Sequence, residues 1–117
     1  MGKLTTHVLD TAHGRPGAGI GVRLYRCDQA GRELLKTTTT NADGRCDSPL
    51  LEGAALVRAS YELEFAMGDY FAALGLMLPE PRFVDIVSLR FGIADADAHY
   101  HVPLLASPFS YSTYRGS

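Results

Sequence analysis

Four histidines, an arginine at a turn and a crowded C-terminus are the residues here with chemistry to offer. His99 and His101 flank Tyr100 in an alternating segment. The two-residue strand period therefore sets both imidazoles on one face. His7 stands in another short strand and shares its face with Thr5 and Leu9, whereas His13 falls in a loop. Arg45 follows Asn41-Ala42-Asp43-Gly44, a strong turn signal because Asp-Gly readily supplies positive φ. A guanidinium held there can bind a planar anion or polarise a carbonyl, although an arginine at a turn is more often simply solvated. Tyr114-Arg115-Gly116-Ser117 then brings together a phenol, a second guanidinium, a hydroxyl and the terminal carboxylate. Chain ends usually fray and carry small polar residues; an end this dense suggests a tail that is tied down and used. Histidine, arginine and tyrosine without a cofactor motif suit general acid–base hydrolysis of a small, polar, planar substrate. They suit a ligand-binding module nearly as well.

Other chemistries find less support. A His-x-His pair can chelate a transition metal, but a full site needs a third ligand. His7 supplies it only if the first strand lies beside the pair. Gly-x-Ser-x-Gly is absent, and neither cysteine sits in a recognisable catalytic context. Cys27 reads as inert filler at a strand end. Cys46 follows Arg45, which would lower its pKa, though a small residue in a turn is the plainer reading. Gly17, Gly19 and Gly21 do not follow a strand and open a helix, so they make no phosphate cradle.

Length and composition set the frame for these residues. The chain has 117 residues, 46% of them hydrophobic and 21% charged, with a net charge of −2. That is ordinary for one soluble domain spanning residues 1–117. No basic stripe offers a nucleic-acid footprint, and no apolar run reaches membrane-spanning length. The polar N-terminus enters a strand pattern at once, so no signal peptide is expected. With only two cysteines, a reducing, cytoplasmic setting is expected.

The elements that must position the chemistry are mostly strands, because the hydrophobic period is two rather than 3.6. Leu4–Leu9 is the first. Ile20, Val22 and Leu24 alternate with Gly21, Arg23 and Tyr25; Asp28–Gly31 then turns the chain into a return strand, Leu34–Thr40. Tyr61, Leu63, Phe65 and Met67 form the clearest strand. Asp69 reads as the N-cap of a short helix, Tyr70–Leu74, stopped by Gly75. Pro79 and Pro81 impose an extended linker. Val87–Ile93 and His99–Leu104 follow, and Tyr111–Arg115 makes a final strand. Pro103 cannot donate to a ladder, so a free edge or a local break is expected there. About seven or eight short strands with frequent turns indicate an all-β sandwich.

Several segments then resemble one family, in its order. Thr5-Thr6-His7-Val8-Leu9-Asp10-Thr11 with Gly14-Arg15-Pro16 resembles the N-terminal signature of the 5-hydroxyisourate hydrolases, the transthyretin-related proteins of urate breakdown. Asp43-Gly44-Arg45 followed by Pro49-Leu50-Leu51 is similar to the family's central segment, and Gly68-Asp69-Tyr70-Phe71 to its helix entry. His99-Tyr100-His101-Val102-Pro103-Leu104-Leu105 and the Tyr-Arg-Gly-Ser end resemble its most specific signature. Gly17 after Pro16, and Cys46 after Arg45, are small departures outside the motif residues.

The resemblance implies a transthyretin-like sandwich of two four-stranded sheets with one short helix, assembled as a homotetramer. It implies hydrolysis of 5-hydroxyisourate at a lactam C–N bond to 2-oxo-4-hydroxy-4-carboxy-5-ureidoimidazoline, without metal or other cofactor. Its catalytic residues map onto His7, Arg45, His101 and Ser117, and its substrate-binding residues onto His7, Arg45, Tyr114 and Arg115. These sites lie in a channel where subunits meet. The hormone-carrying relative, transthyretin, lacks the paired strand histidines and the Tyr-Arg-Gly-Ser end, so the motif set favours an enzyme over a non-catalytic carrier. A metal-binding sandwich built on His99 and His101 ranks last.

Overall fold

The computed structural model describes residues 1–117. Nine strands run in chain order: β1 (Lys3–Asp10), β2 (Arg15–Pro16), β3 (Gly21–Asp28), β4 (Gly31–Thr39), β5 (Leu51–Glu52), β6 (Ala59–Ala66), β7 (Ile86–Ile93), β8 (His99–Ser107) and β9 (Ser110–Thr113). One α-helix, α1 (Met67–Ala73), links β6 to β7. The strands form two sheets, ordered β2-β1-β8-β9 and β4-β3-β6-β7. The all-β sandwich with one short helix is therefore present, and the two-residue β5 adds a fifth strand by pairing with the start of β1.

Alternation explains why these segments become strands and which face each one buries. Along β1, Leu4, Thr6, Val8 and Asp10 are buried while Thr5, His7 and Leu9 are only partly so. Along β8, Tyr100, Val102, Leu104 and Ala106 turn inward. Opposite them lie Val22, Leu24, Leu63, Phe65, Val87 and Leu89 from the second sheet. Each fully buried Leu, Val or Phe contributes about 1.5–3 kcal/mol, so this inner layer fixes register. A one-residue slip would carry His7 and His101 into the core.

The site depends on one pairing above all. β1 and β8 are parallel neighbours, with Thr5 opposite His101 and His7 opposite Pro103. β9 returns antiparallel on the other side of β8, from Ser107↔Ser110 to Leu104↔Thr113. The ladder then breaks at Pro103, which has no N–H to donate. The Thr113 hydroxyl donates to the Pro103 carbonyl at 2.7 Å, and backbone contact resumes at His101 and Gly116.

Several expected boundaries move, and the return strand β4 begins at Gly31 rather than Leu34. The helix begins at Met67 rather than Tyr70, and Asp69 does not cap it: the N-cap is Ala66, without a side-chain hydrogen bond. The Asp69 carboxylate instead accepts from Arg82 at 2.7 Å. The last strand ends at Thr113 rather than Arg115, for the reason just given at Pro103.

Candidate active site

The outer face of the β2-β1-β8-β9 sheet carries a polar cavity of about 500 Å³, whose lining includes Thr5, His7, Arg45, His99, His101, Tyr114 and Ser117. Three parts of the fold reach it, the first made of two paired strands.

The first part is β1 with β8. Their parallel register brings His7 and His101 together, with ring centroids 6.5 Å apart. His99 lies one strand period along, its centroid also 6.5 Å from that of His101. Thr5 ties the β8 pair: its Oγ1 lies 3.0 Å from His99 Nε2 and 2.8 Å from His101 Nδ1.

The second part is the turn that delivers Arg45. Gly44 has φ +75° and packs against the Val8 carbonyl, which a Cβ would strike. The Val8 amide donates to the Gly44 carbonyl at 2.8 Å. Asn41 holds the turn from within, its Oδ1 accepting from the amides of Asp43 and Arg45. Arg45 thereby forms an isolated bridge with His7. The chain's ion pairs engage Arg26, Arg32 and Arg82 and leave the Arg45 guanidinium free.

The third part is the C-terminal tail. The Gly116 amide donates to the His101 carbonyl at 2.7 Å, which seats Tyr114 and Ser117 at the cavity. Arg115, also expected to bind substrate, takes a different place in this chain. Strand-like alternation turns it to the opposite face, where its guanidinium stacks 4.0 Å over the Tyr100 ring and donates to the His99 carbonyl at 3.3 Å. Arg115 lines a different cavity, about 370 Å³, between the sheets, with Leu89, Phe91 and Tyr111. It anchors the tail from behind.

The electrostatics suit proton transfer near neutral pH. Burial lowers the pKa of His101 below its ordinary 6.5, helped by the charge of Arg45 and then by His7 and His99. Burial also lowers that of His7, again with Arg45, while a backbone hydrogen bond and the charge of Asp43 pull the other way. Both rings are accordingly neutral at pH 7 and able to accept a proton. Cys46 goes opposite to the expected direction: burial pushes its thiol up, outweighing nearby Lys36. It is no thiolate nucleophile. His13 lies apart, donating from Nδ1 to the buried Asp10 carboxylate at 2.7 Å. No three His, Cys, Asp or Glu side chains converge as metal ligands.

Thr5 is the residue that sequence reasoning passed over. Its place on the His7 face was visible in the alternation, but its contact with two histidines depends on a parallel register that no local pattern states.

A model of the HIUase/Transthyretin family matches residues 4–116. The chain belongs to this family. It is 62% identical over 117 residues to the 5-hydroxyisourate hydrolase of Ralstonia nicotianae, covering 100% of both chains. Among solved structures of the family, the 5-hydroxyisourate hydrolase of Klebsiella pneumoniae superposes with a TM-score of 0.82 at 34% identity, covering 100% of both chains. Transthyretin of Sparus aurata superposes with a TM-score of 0.86 at 24% identity, over 97% of this chain and 96% of that one. That last likeness concerns the fold alone.

Proposed function

We propose that this chain hydrolyses 5-hydroxyisourate to 2-oxo-4-hydroxy-4-carboxy-5-ureidoimidazoline. The observation that carries the reading is the meeting of two low-pKa imidazoles, His7 and His101, with the unpaired guanidinium of Arg45 in one cavity. The 62% identity to a 5-hydroxyisourate hydrolase supports the choice of substrate.

The chemistry follows from the groups. Water adds to the lactam carbonyl, and the oxygen of that carbonyl becomes an oxyanion. A preorganised cation at that oxygen is worth most where water is excluded, and Arg45 is the free cation available. One neutral imidazole takes the proton of the attacking water and becomes an imidazolium; that proton passes through the second imidazole to the leaving ring nitrogen, so both rings end neutral. Tyr114 and Ser117 offer hydroxyls that orient the carbonyl and N–H groups of a planar substrate.

The chain works, on this reading, as a single domain in a homotetramer. Phe83, Ile86, Phe109, Tyr111 and Tyr114 are exposed, and they cluster by β7 and β9, the terminal strands of the two sheets. Open sheet edges beside exposed apolar side chains invite pairing with another copy. Two free cysteines, Cys27 and Cys46, fit a reducing cytoplasm.

Product analysis tests the function. Urate labelled with ¹³C, oxidised in the presence of the chain, should give the ring-opened carboxylate faster than it forms spontaneously. Tight binding of 5-hydroxyisourate with no gain in product would mark a carrier instead.

A further inference from the structure

His99 is the one cavity histidine to which the scheme above gives no role, and Thr5 joins it to His101. A threonine hydroxyl has a single proton to donate and lone pairs to accept. With contacts of 3.0 Å to His99 Nε2 and 2.8 Å to His101 Nδ1, Thr5 donates to one ring and accepts from the other. We propose that Thr5 and His99 are positioning residues that set the tautomer of His101, and that His99 is the solvent end of a proton path through the Thr5 hydroxyl. The proposal rests on the hydrolase reading, since it assigns a use to the protons of the same site.

Two arrangements satisfy both hydrogen bonds. In one, His101 Nδ1–H donates to Thr5, Thr5 donates to a bare His99 Nε2, and His101 Nε2 is a free base. In the other, His99 Nε2–H donates to Thr5, Thr5 donates to a bare His101 Nδ1, and His101 Nε2 carries the proton. The two rings thus always share one tautomer.

Passing between the arrangements moves one proton out. His101 Nε2 takes a proton from the attacking water, and its Nδ1 proton passes to Thr5 Oγ1. The original Thr5 proton passes to His99 Nε2, and the His99 Nδ1 proton leaves to solvent. Every bond broken is matched by one formed, nothing is oxidised, and His101 ends neutral. The reverse run lets His101 Nε2–H protonate the leaving nitrogen while solvent resupplies His99.

The surroundings favour traffic by this route. His101 is partly buried and faces Arg45, His7 and His99, so keeping it neutral avoids a second positive charge beside the guanidinium. His99 is exposed. Lys3 is its partner across the ladder, and Arg115 engages only its backbone carbonyl. Both imidazole ends of the path therefore remain free of carboxylate partners.

Three variants and one spectrum test the inference. Long-range ¹H–¹⁵N spectra at pH 8, above the ordinary imidazole range, should find His99 and His101 in the same tautomer. Thr5→Val, near-isosteric, should uncouple them. In assays with 5-hydroxyisourate, Thr5→Val and His99→Gln should each lower kcat about tenfold or more with little change in KM, the scale of a compromised proton transfer. Thr5→Ser, which keeps the hydroxyl, should restore kcat. Opposite tautomers on the two rings, or full kcat in folded Thr5→Val, would overturn the proton path while leaving the hydrolase reading intact. Failure of the wild-type chain to hydrolyse substrate would instead remove the reading itself, and the tautomer spectra would stand apart from it.

Discussion

Gly116 packs directly on His101. Its amide donates to the His101 carbonyl at 2.7 Å, and a Cβ at Gly116 would fall 2.7 Å from the Cδ2 atom of the His101 ring. The tail approaches the His101 imidazole this closely only because residue 116 has no side chain. Gly116→Ala should therefore displace either the ring or the tail. We expect a large loss of activity with little change in melting temperature, since the tail adds no residue to the buried core. Deleting Tyr114 through Ser117 should do the same, which circular dichroism and a turnover assay check together. Full turnover in a folded, truncated chain would make the tail dispensable and the site assignment wrong.

Arg45 should leave a mark on the titration of both histidines. Burial is the larger cause of their lowered pKa values and Arg45 the next. In Arg45→Ala, NMR titration of the ring protons should find both midpoints raised part of the way towards 6.5. In the wild type, activity should persist below pH 6.5 and fall as the pH drops through the lowered values, because a protonated imidazole cannot accept a proton. Midpoints unmoved by the substitution would count against an electrostatic link.

Neither a metal nor a thiol is expected to take part. Thr5 already engages the two β8 histidines, and burial holds the Cys46 thiol protonated. Dialysis against a strong chelator should leave activity intact, and Cys46→Ser should keep turnover within about a few-fold. Activity lost on chelation and restored by zinc would contradict the acid–base scheme.

The strand pattern was legible because burial alternates with the pleat: Leu4, Val8, Leu63, Phe65 and Leu104 are core residues both in the pattern and in the structure. The Asp43-Gly44 turn was legible for its positive φ. Tertiary contacts decided the rest. Met67 continues the apolar alternation of β6 and so reads as strand, yet it starts α1, where Gly68 packs against Asp85 with its amide donating to the Asp85 carbonyl at 3.0 Å. Asp69 has the chemistry of a cap but is drawn to Arg82. Arg115 belongs to the same motif as Tyr114 and Ser117, yet alternation sends it to Tyr100. The face each tail residue takes follows from the bridge of Gly116 to His101, a contact between distant parts of the chain.

Asp10 should matter for stability rather than chemistry. Its buried carboxylate accepts from the amides of Ala12 and His13, the His13 ring and the Tyr70 hydroxyl. Burial alone would raise its pKa, but these hydrogen bonds outweigh it and hold the pKa below 3.8. The stabilisation is therefore present above pH 3.8 and lost as the pH falls through the lower folded value. Asp10→Asn should cost about 2–3 kcal/mol, or roughly 10 °C in melting temperature, with turnover per folded chain retained at low temperature. An unchanged melting temperature would refute this account of the β1 end.

The most direct measurement generates 5-hydroxyisourate in situ with urate oxidase and follows its decay with wild type, Arg45→Ala and His101→Asn. Wild type should clearly accelerate the decay over the spontaneous rate. Each variant should retain the wild-type circular dichroism and lose about 10²–10³-fold in rate, the usual cost of one oxyanion donor or proton carrier. Decay unchanged by folded wild-type protein, or variants that match it, would contradict the claim that this cavity is a hydrolase site.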